Sequence, residues 1–110
     1  MKILVVSPGE YPKVQEIEGT LESMQTVVGG LIEAIYPFDE PVALICNEEG
    51  KLEGLTWNRI LMDAEGNLLD IICGTFFLCA APPDEEDFVG LTDGQIERYG
   101  KLCRGMVIAL

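Results

Sequence analysis

Residues 68–81 constrain the fold most: a largely apolar run rich in aromatic and β-branched side chains that contains Asp70 and Gly74. Asp63-Ala64-Glu65-Gly66-Asn67 is a turn signal before it, and Pro82-Pro83 ends it. The run is shorter than the roughly 20 apolar residues a membrane-spanning helix needs, so it must be buried by the rest of the protein. That predicts strand structure, with Gly74 at a bulge or bend. A chain of 110 residues has room for one such core, and residues 1–110 are expected to form a single domain.

The other segments are consistent with an α+β fold: a mainly antiparallel sheet of about five strands and two short helices. Residues 2–6 are a compact apolar run that stops at Ser7-Pro8-Gly9, and residues 14–18 alternate apolar with polar. Together they predict an opening hairpin whose second strand is half exposed. Thr20 is placed as an N-cap with Glu22 in the first turn, Leu21, Met24, Val27 and Val28 follow at helical spacing, and Gly29-Gly30 stops the helix. This short helix is expected to lie across the opening hairpin, since it depends on packing for its stability. Residues 31–38 and 42–46 read as a second hairpin, and Asn47-Glu48-Glu49-Gly50 as the turn that follows. Residues 52–63 fit no single period and are expected to be irregular or one helical turn. Thr92 and Gln95 have the spacing of a capping box, and Ile96, Tyr99, Leu102 and Cys103 recur on one face of a second helix. Gly105 closes it, and residues 106–110 are expected to add an edge strand.

The composition removes several classes of function. There is no histidine, so the commonest general base is missing, together with the usual serine and cysteine nucleophile partnerships. No catalytic residues are assigned and an enzyme is not expected. The four cysteines form no Cys-x-x-Cys pair, so no metal or cofactor is expected, and they read as buried free thiols. Gly29-Gly30 follows a helix, which is the wrong order for a phosphate cradle. The net charge of −12 opposes direct binding to nucleic acid or an anionic membrane, so a charged partner should be a protein with a basic surface. The first residues hold too short an apolar run for a secretory signal, and a cytoplasmic location is expected. Oligomeric state is left open by these features.

Two segments are candidate binding sites. Trp57-Asn58-Arg59 sets a stacking ring beside an amide and a guanidinium, and with Tyr36 it could line a pocket between sheet and helix. A structural reading is also open, with Trp57 plugging a sheet edge and Arg59 paired with a nearby carboxylate. The tract Asp84-Glu85-Glu86-Asp87 is too densely charged for regular structure and is expected to be an exposed acidic loop.

Several blocks in order, namely Gly29-Gly30-Leu31-Ile32-Glu33, Tyr36-Pro37-Phe38-Asp39, Pro41-Val42-Ala43-Leu44, Cys46-Asn47-Glu48-Glu49-Gly50-Lys51, Asn58-Arg59, Asp70-Ile71-Ile72, Gly74-Thr75-Phe76-Phe77 and Leu91-Thr92, resemble the bacterial domain of unknown function 3846. The resemblance implies a cytoplasmic accessory role on mobile elements and phages, and it brings no catalytic residues. Charge and resemblance together suggest a protein-binding accessory factor, with counter-defence or nucleic-acid mimicry as its mode. The alternative is a small-ligand module for a nucleotide or metabolite, built on Trp57, Asn58, Arg59 and Tyr36.

Overall fold

The computed structural model describes residues 1–110. It holds eight strands and two helices in the order β1 (Lys2–Val6), β2 (Lys13–Glu16), α1 (Leu21–Val28), β3 (Ile32–Ile35), β4 (Val42–Asn47), β5 (Trp57–Met62), β6 (Leu68–Cys73), β7 (Phe76–Ala80), α2 (Asp93–Leu102) and β8 (Val107–Ala109). The α+β expectation is borne out. A five-stranded antiparallel sheet has the order β2-β1-β7-β4-β3, and a second sheet has the order β6-β5-β8.

The apolar run at 68–81 serves both sheets. Gly74, at a left-handed φ of 82°, divides it into β6 of the small sheet and β7 at the centre of the large one. Added there, a Cβ would sit 2.7 Å from Leu55 Cδ1, so backbone conformation and space both favour glycine.

β4 and β7 are buried along their whole length because both faces of the large sheet are covered. Val42, Leu44, Cys46, Phe76, Leu78 and Ala80 face a core shared with α2 and the small sheet, through Tyr99, Cys103, Leu61, Ile72 and Ile108. The alternate residues Ala43, Ile45, Phe77 and Cys79 face Met24 and Val28 of α1. The layers are therefore α1, the large sheet, and then α2 with the small sheet. Full burial of each large apolar side chain stabilises this arrangement by about 1.5–3 kcal/mol.

Both helix starts follow the sequence. Thr20 Oγ1 accepts from the Ser23 N–H at 3.2 Å, and Thr92 and Gln95 close a reciprocal capping box. Gly29 ends α1 in the left-handed conformation.

Three local expectations need correction. α1 packs chiefly on β4, β7 and β3 and shares a core with the β1–β2 hairpin through buried Ile3 of β1, because the apolar face that needs a cover is centred on β4 and β7. β2 is exposed along its whole length and not half buried, as an edge strand without a covering layer. Within residues 52–63, expected to be irregular or a helical turn, residues 57–62 form strand β5, the central strand of the small sheet. Its period is hidden by a bulge between Trp57 and Arg59, which lets the consecutive residues Asn58 and Arg59 both be buried. β8 is the expected edge strand and runs parallel to β5.

No helix is long and apolar enough to cross a membrane.

Candidate functional site

The bulge in β5 places Asn58 and Arg59 between the two sheets. Asn58 is fully buried, and its Nδ2 donates to Val6 O and Gly74 O, each at 2.8 Å. Its Oδ1 accepts from Arg59 Nη1 at 2.9 Å. The Arg59 guanidinium donates further to Cys103 O from Nε at 3.0 Å, to Asn58 O from Nη1 at 3.3 Å and to Glu10 O from Nη2 at 2.7 Å. These bonds tie the end of β1, the β1–β2 turn, the Gly74 bend and the C-terminal end of α2 to one strand of the small sheet. Burial pulls the Arg59 pKa below its ordinary value, yet an arginine remains charged in a folded protein.

The four residues expected to form one pocket are not brought together around a single cleft. Trp57 is 61 % exposed and lines a shallow cleft with Lys51, Leu69, Ile71 and Cys73. Arg59 lines a different one, with Gly9, Glu10, Tyr11, Arg104 and Met106. Asn58 is occupied by the tie, and Tyr36 is exposed just beyond β3 of the large sheet. The expected ion pair of Arg59 is also replaced: its partners are neutral carbonyl oxygens. A cleft between sheet and helix does exist, but Phe38, Glu40, Arg98, Tyr99, Leu102 and Leu110 line it. There Tyr99 donates its hydroxyl to Glu40 Oε2 at 2.8 Å; burial first, and then this carboxylate, push its pKa up to about 12.

A cleft of about 440 Å³ opens where the turn after β4 meets β6. Three carboxylates line it, Glu33, Glu48 and Asp70, against one cation, Lys51, which is held by Asp70. Asn47 shapes this corner: its Oδ1 accepts from the Glu49 N–H at 2.8 Å and its Nδ2 donates to Val28 O at 3.3 Å. Cys46 Sγ lies 3.8 Å from Glu33 Oε1. Its pKa is pushed up to about 12, by burial first and then by the charges of Glu33 and Asp70. The sequence reading did not single out this cleft, because its carboxylates come from three separate strands and turns and meet only through sheet pairing.

All four cysteines are buried, as expected. Burial alone pushes Cys79 up to about 12, and it does the same to Cys103 against the opposing charge of Arg59. Cys79 and Cys103 are core packing groups whose thiols stay protonated at neutral pH.

The tract Asp84 to Asp87 is an exposed loop, as expected, and none of its carboxylates pairs with a lysine or arginine. Elsewhere Asp93, Glu10, Asp70, Glu40 and Glu97 each hold a basic side chain, and the rest of the nineteen carboxylates have none.

Neither a curated protein nor a solved structure matches the chain. The family model described as "Domain of unknown function (DUF3846)" matches residues 1–104, so the blocks read as a resemblance lie within a match to nearly the whole sequence, and the chain belongs to that family.

Proposed function

We propose that this chain is a non-catalytic accessory protein that binds a protein partner through its carboxylates, the partner offering a basic surface of the kind that normally takes nucleic acid. The observation that carries this reading is the Glu33, Glu48 and Asp70 cleft, whose one cation is already held by one of its own carboxylates. Glu33 and Glu48 are exposed and have no lysine or arginine partner, so they are available to a basic side chain entering from outside. A cleft of about 440 Å³ has room for a lysine or arginine head group with part of its stem. Asp84, Glu85, Glu86 and Asp87 add a second unneutralised segment that can follow a basic groove as a phosphate backbone would.

Mimicry of nucleic acid, including counter-defence on behalf of a mobile element, fits this charge arrangement. The alternative, a nucleotide or metabolite module on Trp57, Asn58, Arg59 and Tyr36, has weaker support because these residues share no cleft. Fluorescence anisotropy with a labelled arginine-rich peptide tests the proposal. Binding should weaken at least tenfold in the Glu33→Gln, Glu48→Gln double variant, and should leave a Glu22→Gln control on α1 unchanged. Equal binding by all three proteins would refute a role for the cleft.

A further inference from the structure

Seven basic side chains serve this chain, and five of them are held by carboxylates: Lys2 by Asp93, Lys13 by Glu10, Lys51 by Asp70, Arg98 by Glu40 and Lys101 by Glu97. The two left over, Arg59 and Arg104, line the same cleft of about 310 Å³. With nineteen carboxylates available, two unneutralised arginines at one place are not the outcome that charge pairing alone would produce.

Arg59 is the more informative of the two. It is only 3 % exposed, and a buried charge is expected to be paired. Its four hydrogen bonds go to neutral oxygens, which orient the guanidinium without cancelling its charge. One of those oxygens, Cys103 O, lies at the C-terminal end of α2, where the helix dipole supplies roughly half a negative charge. Part of the positive charge is therefore left over. Of the five N–H groups of a guanidinium, the four bonds leave one on Nη2, beside the bond to Glu10 O that forms the wall of the cleft. Glu10 itself does not supply the missing anion, since its carboxylate holds Lys13 Nζ at 2.8 Å. Arg104 stands at the mouth, exposed, with its guanidinium carbon 5.8 Å from the centre of the Tyr11 ring.

We infer that this cleft, between the β1–β2 turn and the end of α2, is an anion site that takes one carboxylate or phosphate group of a small ligand, with Arg59 at its base and Arg104 at its mouth. The inference does not depend on the acidic-surface proposal. A single oxyanion matches the forked donors of two guanidinium groups, whereas an extended polyanion would be repelled by the net charge of −12.

The test is a titration of the ¹⁵N-labelled protein with inorganic phosphate and, separately, with acetate, at constant ionic strength. The Nε–H signals of Arg59 and Arg104 and the amides of Glu10 and Tyr11 are followed. Saturable shifts at these four residues in the millimolar range are expected with at least one of the two anions. Saturation by phosphate alone assigns a phosphate ligand, by acetate alone a carboxylate ligand, and by both a site for either group. Arg104→Gln should weaken binding about tenfold with an unchanged melting temperature, because its side chain is exposed, and Arg98→Gln should leave binding intact. Linear shifts without saturation for both anions, or saturation unaltered in Arg104→Gln, would overturn the inference.

Discussion

Replacing Asn58 by alanine should cost more stability than any comparable change at an exposed amide. The side chain makes two donations to main-chain oxygens and accepts one bond from a charged donor, all at 2.8 to 2.9 Å and all buried. Two neutral bonds at about 1 kcal/mol each and one to a charged group at about 2 kcal/mol give a loss of about 4 kcal/mol. Leaving Val6 O, Gly74 O and an Arg59 N–H without this partner adds to the loss. Against a typical total of about 5–15 kcal/mol this is a large fraction, so the variant should be marginal at 37 °C. Urea unfolding followed by circular dichroism measures it, with an unchanged m-value showing that the same surface is exposed. Asn67→Ala is the control, since that amide is exposed and bonds only to Asp63 Oδ2 at 3.1 Å. A difference between the two variants below about 1 kcal/mol would refute the claim that the Asn58 and Arg59 tie holds the sheets together.

Four further outcomes follow from particular residues. Gly74→Ala should destabilise by at least about 1–2 kcal/mol, through its left-handed backbone together with contact on Leu55, and by more than Gly54→Ala, where the backbone is also left-handed but the space is open. The four thiols should resist an aromatic disulfide reagent at pH 8 in the folded protein and react fully in denaturant; fast reaction in the folded state would contradict their burial. The pKa values of Cys46, Cys79 and Cys103 are raised from an ordinary 9.0 to about 12, so the unfolded chain releases these protons first. Their contribution to stability is complete below pH 9 and lost as pH rises toward 12, which denaturant melts across that range should record. Trp57→Ala should change stability by less than about 1 kcal/mol, because the ring is 61 % exposed, and a larger loss would mean that it plugs the sheet after all.

Legibility in the sequence followed the locality of the physics. Helix starts at Thr20 and Thr92 and the stop at Gly29 could be read because caps are settled within a few residues. β4 and β7 could be read as buried strands because both their faces are covered, so every residue is apolar or nearly so. β5 was hidden because its bulge puts two consecutive polar residues inside and breaks the alternation. The turn at residues 63–67, followed by apolar residues, was the local signal that could have found it as the first arm of a hairpin. Of the candidate site, the acidic loop at 84–87 was visible as a charge tract. The cleft of Glu33, Glu48 and Asp70 was not, nor was the meeting of Arg59 with Arg104, since both depend on which distant segments the two sheets bring into contact.

Competition with DNA tests the central proposal most directly. A purified nucleic-acid-binding enzyme carrying labelled duplex, such as a restriction or CRISPR nuclease, is titrated with this protein at several salt concentrations. The carboxylate account predicts release of the duplex at low salt, with a potency that falls steeply as salt rises. A duplex that stays bound at every salt concentration, across a panel of such enzymes, would contradict it.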